Sequence, residues 1–555
     1  MVEQNSQNPI RTTPRIELDR WSIGAGVIAV LVVLPIVMVI WIALTPDKNI
    51  WPHLISTTLP RYLRTTAILV LCVGTLSAIV GTVSAWMVTM YRFPGSKWLE
   101  WMLLLPLAIP AYVGAYALVD FLEYAGPVQT GLRDMFGWQT SRDYWFPEIR
   151  SLGAAIVVLT AALCPYVFLL ARSAFREQSG GTYEVARALG AGPVARFLRV
   201  GLPLARPAIA AGAAIVMMET VSDFGVVSYF SVQTLTTGIF TIWLDGGNAS
   251  GAAQIASIVL IVVFVLVALE KRSRGRLRYF QTPRQQRPVE ARPLNGWQGW
   301  LAAVLCFIPF GVGFLLPTAV IASHALGHVD RWLEPELLRA LGNTLMVGGS
   351  AAIITVAASV FLVYGVRMTG RRLPGLLLPL TTIGYAAPGA VLAVGLLYPM
   401  SAADHLIADA IEATTGRDVG LLMTGSAFAI IYAYSVRFFA IAQGATDSAF
   451  GRVSPSLPMA ARSLGQTAGG TLRKIHMPLI RGSLGTALLL VFVDCVKELP
   501  ATLLLRPFNF NTLSTRVFEQ ASLEKIGEAA PAALLVMGVG LIAVIILART
   551  TRKSK

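Results

Sequence analysis

Four carboxylates stand where a carboxylate is expensive. Glu219 and Asp223 lie four residues apart in one apolar stretch, and Asp494 and Glu498 lie four apart in another, each 275 residues beyond its counterpart. On a helix that spacing puts both members of a pair on one face. About twelve residues separate the first carboxylate of each pair from its helix start, roughly 18 Å and so near the middle of a bilayer. Ionisable groups at that depth face a cavity or a partner rather than lipid. Either the four line a transport pathway, two from each half of the chain, or they are structural, with Lys497 and Arg437 as partners. Asp120 and Glu123 would extend an acidic entrance or sit in interfacial water. His324 and His328 have the i, i+4 spacing that can grip a metal, but no third ligand stands nearby. They read as a solvated or interfacial pair, and no metal site is assigned. Cys72, Cys164, Cys306 and Cys495 each lie inside an apolar run without a C-x-x-C pair, and read as small buried hydrophobes.

The elements that must position these groups follow from composition. The chain has 555 residues, 55% hydrophobic and 14% charged, with a mean hydropathy of +0.65. Apolar runs of about twenty residues recur along its length, each able to cross a bilayer as a helix that satisfies its own backbone. The expected fold class is all-α, a polytopic membrane protein of about twelve helices. Its spans are placed near 21–44, 65–91, 98–122, 151–170, 207–225 and 252–269, then 299–322, 343–366, 376–399, 421–442, 482–500 and 529–547. Trp21–Leu44 is too long for a signal-peptide core and reads as a retained first helix. Pro106, Pro110, Pro379 and Pro388 are expected to interrupt the third and ninth spans. The net charge of +15 resides in loops beside apolar runs, the positive-inside pattern, which excludes nucleic-acid binding. The division expected is a cytoplasmic arm (1–20), a first half (21–269), a basic cytoplasmic linker (270–296), a second half (297–548) and a cytoplasmic tail (549–555). An even number of spans puts both termini inside.

A loop pattern also occurs twice. The first copy reads Glu184-Val185-Ala186, Gly190 and Val200-Gly201-Leu202-Pro203; the second reads Met459-Ala460-Ala461, Gly465 and Ile475-His476-Met477-Pro478. Both copies fall in basic loops on the side assigned to the cytoplasm. Gly190 and Gly465 would permit a sharp turn between short helices, and Pro203 and Pro478 would mark the start of the next span. The pattern resembles the EAA loop of ABC importer permeases, through which a membrane subunit touches its ATPase. The docking residues implied by that resemblance are Glu184, Ala186, Gly190, Pro203, Ala460, Ala461, Gly465 and Pro478. Met459 departs from the family pattern, standing where Glu is expected, so the two contacts would be unequal. Leu103-Leu104-Leu105-Pro106-Leu107 recurs as Leu376-Leu377-Leu378-Pro379-Leu380, and Thr234-Leu235-Thr236-Thr237 as Thr512-Leu513-Ser514-Thr515. The halves are therefore a parallel repeat, with an axis along the membrane normal.

Over nearly its whole length the chain resembles the fused, double-length permeases of the ferric-iron ABC importer family. The segments that carry this are Leu105-Pro106-Leu107-Ala108-Ile109-Pro110-Ala111-Tyr112-Val113, Tyr124-Ala125-Gly126-Pro127-Val128-Gln129, Gly384-Tyr385-Ala386-Ala387-Pro388-Gly389 and Lys497-Glu498-Leu499-Pro500-Ala501-Thr502. The resemblance implies a type I importer-like fold in the inner membrane and transport by alternating access. It implies as partners a cytoplasmic ABC ATPase, in two copies, and a periplasmic substrate-binding protein. Thiamine, polyamine and phosphonate permeases share the architecture, and a proton-coupled secondary transporter is the alternative class. Carboxylates suit a hard cation such as Fe³⁺. No G-x-x-x-x-G-K-[ST] phosphate loop occurs in the chain, so it is expected to bind no cofactor and to leave ATP hydrolysis to its partner.

Overall fold

The structure, a computed structural model, describes residues 20–275, 291–369, 372–382, 384 and 387–553. Residues 1–19 of the expected arm, 276–290 of the linker, 554–555 of the tail, and Tyr385 and Ala386 lie outside the described residues.

The chain is helical almost throughout. Among the described residues ten helices are long and apolar enough to cross a membrane, and two bent pairs bring the number to twelve if each pair is one span. In the first half these are α1 (Arg20–Leu44), α2 (Leu59–Met90), the pair α3 (Ser96–Met102) and α4 (Ala111–Leu122), then α5 (Leu152–Arg176). A short helix, α6 (Gly180–Ala188), precedes α7 (Leu202–Ser222), α8 (Leu235–Phe240) and α9 (Ala249–Gly275). The second half repeats the plan with α10 (Trp297–Phe310), α11 (Leu316–Gly327), α12 (Pro335–Thr369), α13 (Arg372–Thr381) and α14 (Gly389–Thr415). It continues with α15 (Phe428–Arg437), α16 (Phe439–Gly451), α17 (Ser456–Ser463), α18 (Met477–Lys497), α19 (Leu513–Ser522) and α20 (Ile526–Lys553).

Three of the four prolines stand at breaks, whereas Pro379 lies inside α13, which runs on to Thr381. Pro106 lies in a single 3₁₀ turn (Leu105–Ala108) and Pro110 is the N-cap of α4; the chain bends by 96° there. Pro388 is likewise the N-cap of α14. The tenth span differs from expectation: it bends by 50° between α15 and α16, whereas its counterpart α5 is one helix.

The repeat is visible at the level of single hydrogen bonds. Thr234 and Thr512 each close a capping box on α8 and α19. The amide of Leu235 donates to Thr66 Oγ1 at 3.0 Å, and that of Leu513 to Thr344 Oγ1 at 2.8 Å. Thr236 and Ser514 hydroxyls donate to the carbonyls of Val221 and Val496, tying each short helix to the span before it. Two halves of unlike side chains thus solve the same problem, the satisfaction of backbone and hydroxyl groups inside an apolar medium.

The halves are not side-by-side bundles. The first helix of each crosses onto the other: Ala25, Val32, Ile36 and Val39 of α1 share a core with Leu362, Val391 and Val436. Ile321 and Ala325 of α11 pack in turn with Val113, Tyr116 and Val158 of the first half. Apolar side chains on the outer faces, such as Val30, Ile79 and Ile353, stay exposed, as lipid-facing positions should. Among the described residues the only strands are the two-residue pair Tyr91–Arg92 and Arg292–Pro293, which run parallel and pin the end of the linker to the end of α2.

Candidate translocation cavity and docking loops

The helix breaks converge. A cavity of about 190 Å³ opens where the two halves meet, and Glu219, Asp223, Asp494 and Glu498 all line it. The expected shared helix faces stop one residue short. α7 ends at Ser222 and α18 at Lys497, so Asp223 and Glu498 are the first extended residues beyond each helix, with ψ of 134° and 120°.

The reason is local. Asp223 Oδ1 accepts from the amides of Val226 and Val227 at 3.0 and 3.2 Å, at the start of the short helix Gly225–Tyr229. Glu498 Oε1 accepts from the amide of Ala501 at 3.1 Å, at the start of Pro500–Leu505. Each supplies the acceptor that the open amides of a new helix need. Glu219 and Asp494 remain on helical turns, one turn back, facing the same cavity.

Cations enter this cavity from one side only. Arg437 Nη1 lies 3.2 Å from Glu498 Oε1, the two side chains being 13% and 4% exposed. Lys497 Nζ donates to the carbonyl of Leu107, in the break of the first half, at 2.5 Å. Shifted back by 275, these positions are Ala162 and Ser222, which line the same cavity. The first-half wall therefore brings no base of its own to the cavity, while the second-half wall brings Arg437 and Lys497. Four acidic groups against two basic ones leave two in excess. Gly389, the first residue of α14, rests on the ion pair: a Cβ there would stand 2.2 Å from Glu498 Oε1 and 2.5 Å from Arg437 Nη1.

A second set of charges bridges the halves away from the cavity. Asp120 Oδ2 is 2.8 Å from His324 Nε2, and Arg150 is 2.9 Å from both Glu123 and Glu524. His328 lies past the end of α11, and its Nδ1 meets the His324 carbonyl at 2.9 Å, so the two imidazoles do not form one helical face. Among the described residues no group of three or more His, Cys, Asp or Glu side chains is placed to hold a metal.

The repeated loops fold alike. Gly190 and Gly465 have φ of +83° and +82°, the left-handed backbone that glycine adopts without strain. The amides of Ala191 and Gln466 reach back to Ala186 and Ala461 carbonyls, both at 3.0 Å. With the amides of Gly190 and Gly465 bonded to the Arg187 and Arg462 carbonyls, each turn ends its helix as a Schellman motif. Glu184 and Ala460 are exposed, Ala186 is half-buried and Ala461 is buried; Pro203 and Pro478 stand exposed in the first turns of α7 and α18. The turns present large apolar side chains to solvent: Val185 and Leu189 in one, Met459 and Leu464 in the other, with Leu189 and Leu464 both 82% exposed. These four side chains escaped a reading based on the small-residue triplets. Beneath the loops the packing differs between the halves. Trp86 lies over Gly201 in the first, and Tyr364 stacks edge-on against His476 in the second, its hydroxyl donating to the Ala468 carbonyl at 2.5 Å.

A twice-built helical membrane chain, with a charged cavity between its halves and a glycine-turned loop in each, is similar to the permeases of binding-protein-dependent transport systems. Residues 74–279 match the family described as binding-protein-dependent transport system inner membrane component. The chain is similar to the Fe(3+)-transport system permease protein FbpB 2 of Haemophilus influenzae, 26% identical over 488 residues that make up 86% of this chain and 87% of that protein. It is also similar to the putative ferric transport system permease protein FbpB 1 of the same organism, 23% identical over 75% of this chain and 64% of that one. The molybdenum transport system permease protein ModB of Escherichia coli is 29% identical over 206 residues, 35% of this chain and 86% of its own length.

Proposed function

We propose that this chain is the membrane-spanning subunit of an ATP-driven importer of ferric iron, and that the cavity between its halves is the path the ion takes. The observation that carries the reading is the acidic lining built from both halves at their shared helix breaks. A hard, highly charged cation favours oxygen donors. A likeness to a ferric permease that extends over 86% of the chain, and so over both halves, supports the same cargo. No three of these side chains converge as a chelating set among the described residues, which suits a lining that attracts the ion and lets it leave.

In this reading a periplasmic binding protein delivers the ion on the side of Arg150 and His324. Two cytoplasmic ATPase subunits grip the turns at Gly190 and Gly465, with both termini on their side. ATP-driven closure of the ATPases moves the loops, and through α7 and α18 it moves the helix breaks that carry Asp223 and Glu498. The chain itself holds no cofactor.

Uptake of radiolabelled Fe³⁺ by cells carrying or lacking the chain, with binding protein and ATPase supplied, tests the cargo. Uptake that depends on the chain and on Glu219 with Asp494, and that resists competition by thiamine, polyamine, phosphonate and molybdate, is the expected result. Chain-dependent uptake of molybdate instead of iron would assign the cavity to an oxyanion, with Lys497 and Arg437 as its contacts.

A further inference from the structure

The end of the linker and the turn after α2 enclose a second groove, of about 540 Å³, that shares no lining residue with the cavity between the halves. Its walls come from two distant segments, Arg92–Trp98 and Leu294–Gly296 with Trp300. The parallel strand pair holds them together, and the amide of Leu294 donates to the Arg92 carbonyl at 2.8 Å. Arg92 and Lys97 are exposed on this groove. The first amides of α10, a helix of 14 residues, open beside it with no side-chain cap. Trp98 and Trp300 flank it, 72% and 63% exposed, and Trp297 next to it is 73% exposed. Exposed tryptophans on membrane spans mark the depth of the lipid headgroups.

The surroundings are of one sign. Arg292, next to the groove on the strand, faces Arg187 and Arg196 of the first docking loop; burial and then these two cations hold its guanidinium below the ordinary arginine range. The groove follows directly on the end of α2, whose Trp86 lies against Gly201 at the base of the first docking loop, so it shares the face of the molecule that carries that loop. On the topology proposed above, that is the cytoplasmic interface, where anionic lipid is found.

We propose that this groove binds the headgroup of an anionic phospholipid, with Arg92, Lys97 and the open amides of α10 on the phosphodiester and Trp98 and Trp300 on the glycerol and upper acyl region. A basic pocket between spans on the cytoplasmic side, walled by interfacial aromatics, matches that ligand in charge and in depth. The bound headgroup would place a negative charge beside Arg292 and so relieve the crowding of cations that the linker end shares with the docking loop. The lipid would thus fasten the linker and the first loop to the same patch of membrane.

The test uses the purified full-length chain in detergent, titrated with phosphatidylglycerol, with phosphatidylcholine and with inorganic phosphate, and read by native mass spectrometry. Wild type should retain phosphatidylglycerol in preference to phosphatidylcholine, and inorganic phosphate should not displace it. Arg92→Gln with Lys97→Gln should weaken phosphatidylglycerol binding roughly thirtyfold, two surface cations' worth, with an unchanged unfolding temperature in phosphatidylcholine. Trp98→Ala with Trp300→Ala should weaken lipid binding while leaving the basic residues in place. Equal retention of the two lipids, displacement by inorganic phosphate, or undiminished phosphatidylglycerol binding in both variants would each overturn the assignment.

Discussion

At the scale of residues, the four cavity carboxylates divide by what else they do. Asp223 and Glu498 cap helices as well as carry charge; Glu219 and Asp494 lie one turn earlier, within α7 and α18, and line the same cavity. Substitutions can separate the two roles. Asparagine caps as well as aspartate, so Asp223→Asn should leave thermal unfolding in detergent unchanged and reduce iron uptake, whereas Asp223→Ala should also cost about 1 kcal/mol of stability. Equal uptake by wild type and Asp223→Asn would reduce Asp223 to a cap. Glu498→Ala removes one partner of Arg437 together with the acceptor for the Ala501 amide, and should cost about 1 kcal/mol or more. Gly389→Ala should disturb the same pair from the other side, because its methyl group would occupy the space of both charged groups. An unfolding temperature within a degree of wild type for both variants would mean that the pair contributes little.

At the scale of elements, the docking loops depend on one backbone conformation. A β-branched residue at φ near +80° is strained by about 1 to 2 kcal/mol, and the loop has no tertiary cover that could hold it there. Gly190→Val and Gly465→Val should therefore reduce co-purification of the ATPase without lowering the chain's own unfolding temperature in detergent by more than a few degrees. Undiminished co-purification would move the contact elsewhere on the molecule. The two loops need not respond equally. The first offers Glu184 beside Val185, the second Met459, and each rests on a differently packed base, Trp86 over Gly201 in one and Tyr364 against His476 in the other.

At the scale of the whole molecule, the crossed first helices mean that neither half can turn without carrying a helix of the other. Between the halves, Arg150 bridges Glu123 and Glu524, all three partly exposed, so the pair should contribute under about 1 kcal/mol to overall stability. Its weight falls on the balance between conformations. Arg150→Ala should leave the unfolding temperature nearly unchanged and raise ATP hydrolysis by the assembled complex in the absence of binding protein. Basal hydrolysis equal to wild type would show that this bridge does not hold the resting state.

Read alone, the sequence determined the class of fold, the duplication, the breaks at Pro106, Pro110 and Pro388 and the sharp turns at Gly190 and Gly465. These features are set within a few turns of chain, by apolar run length, by proline's missing donor and by glycine's freedom at positive φ. It also brought forward all four carboxylates that line the cavity, because a charge in an apolar run is conspicuous wherever the run goes. Only the tertiary structure decided what those charges face. That Lys497 reaches the Leu107 carbonyl, that Gly389 rests on the Arg437–Glu498 pair, and that α1 belongs to the core of the other half are contacts between segments hundreds of residues apart. No local periodicity encodes such pairings. They arise because helices with apolar surfaces on every side can pack in many ways, and the choice among them is made by the fit of small residues and the satisfaction of buried polar groups across the whole assembly.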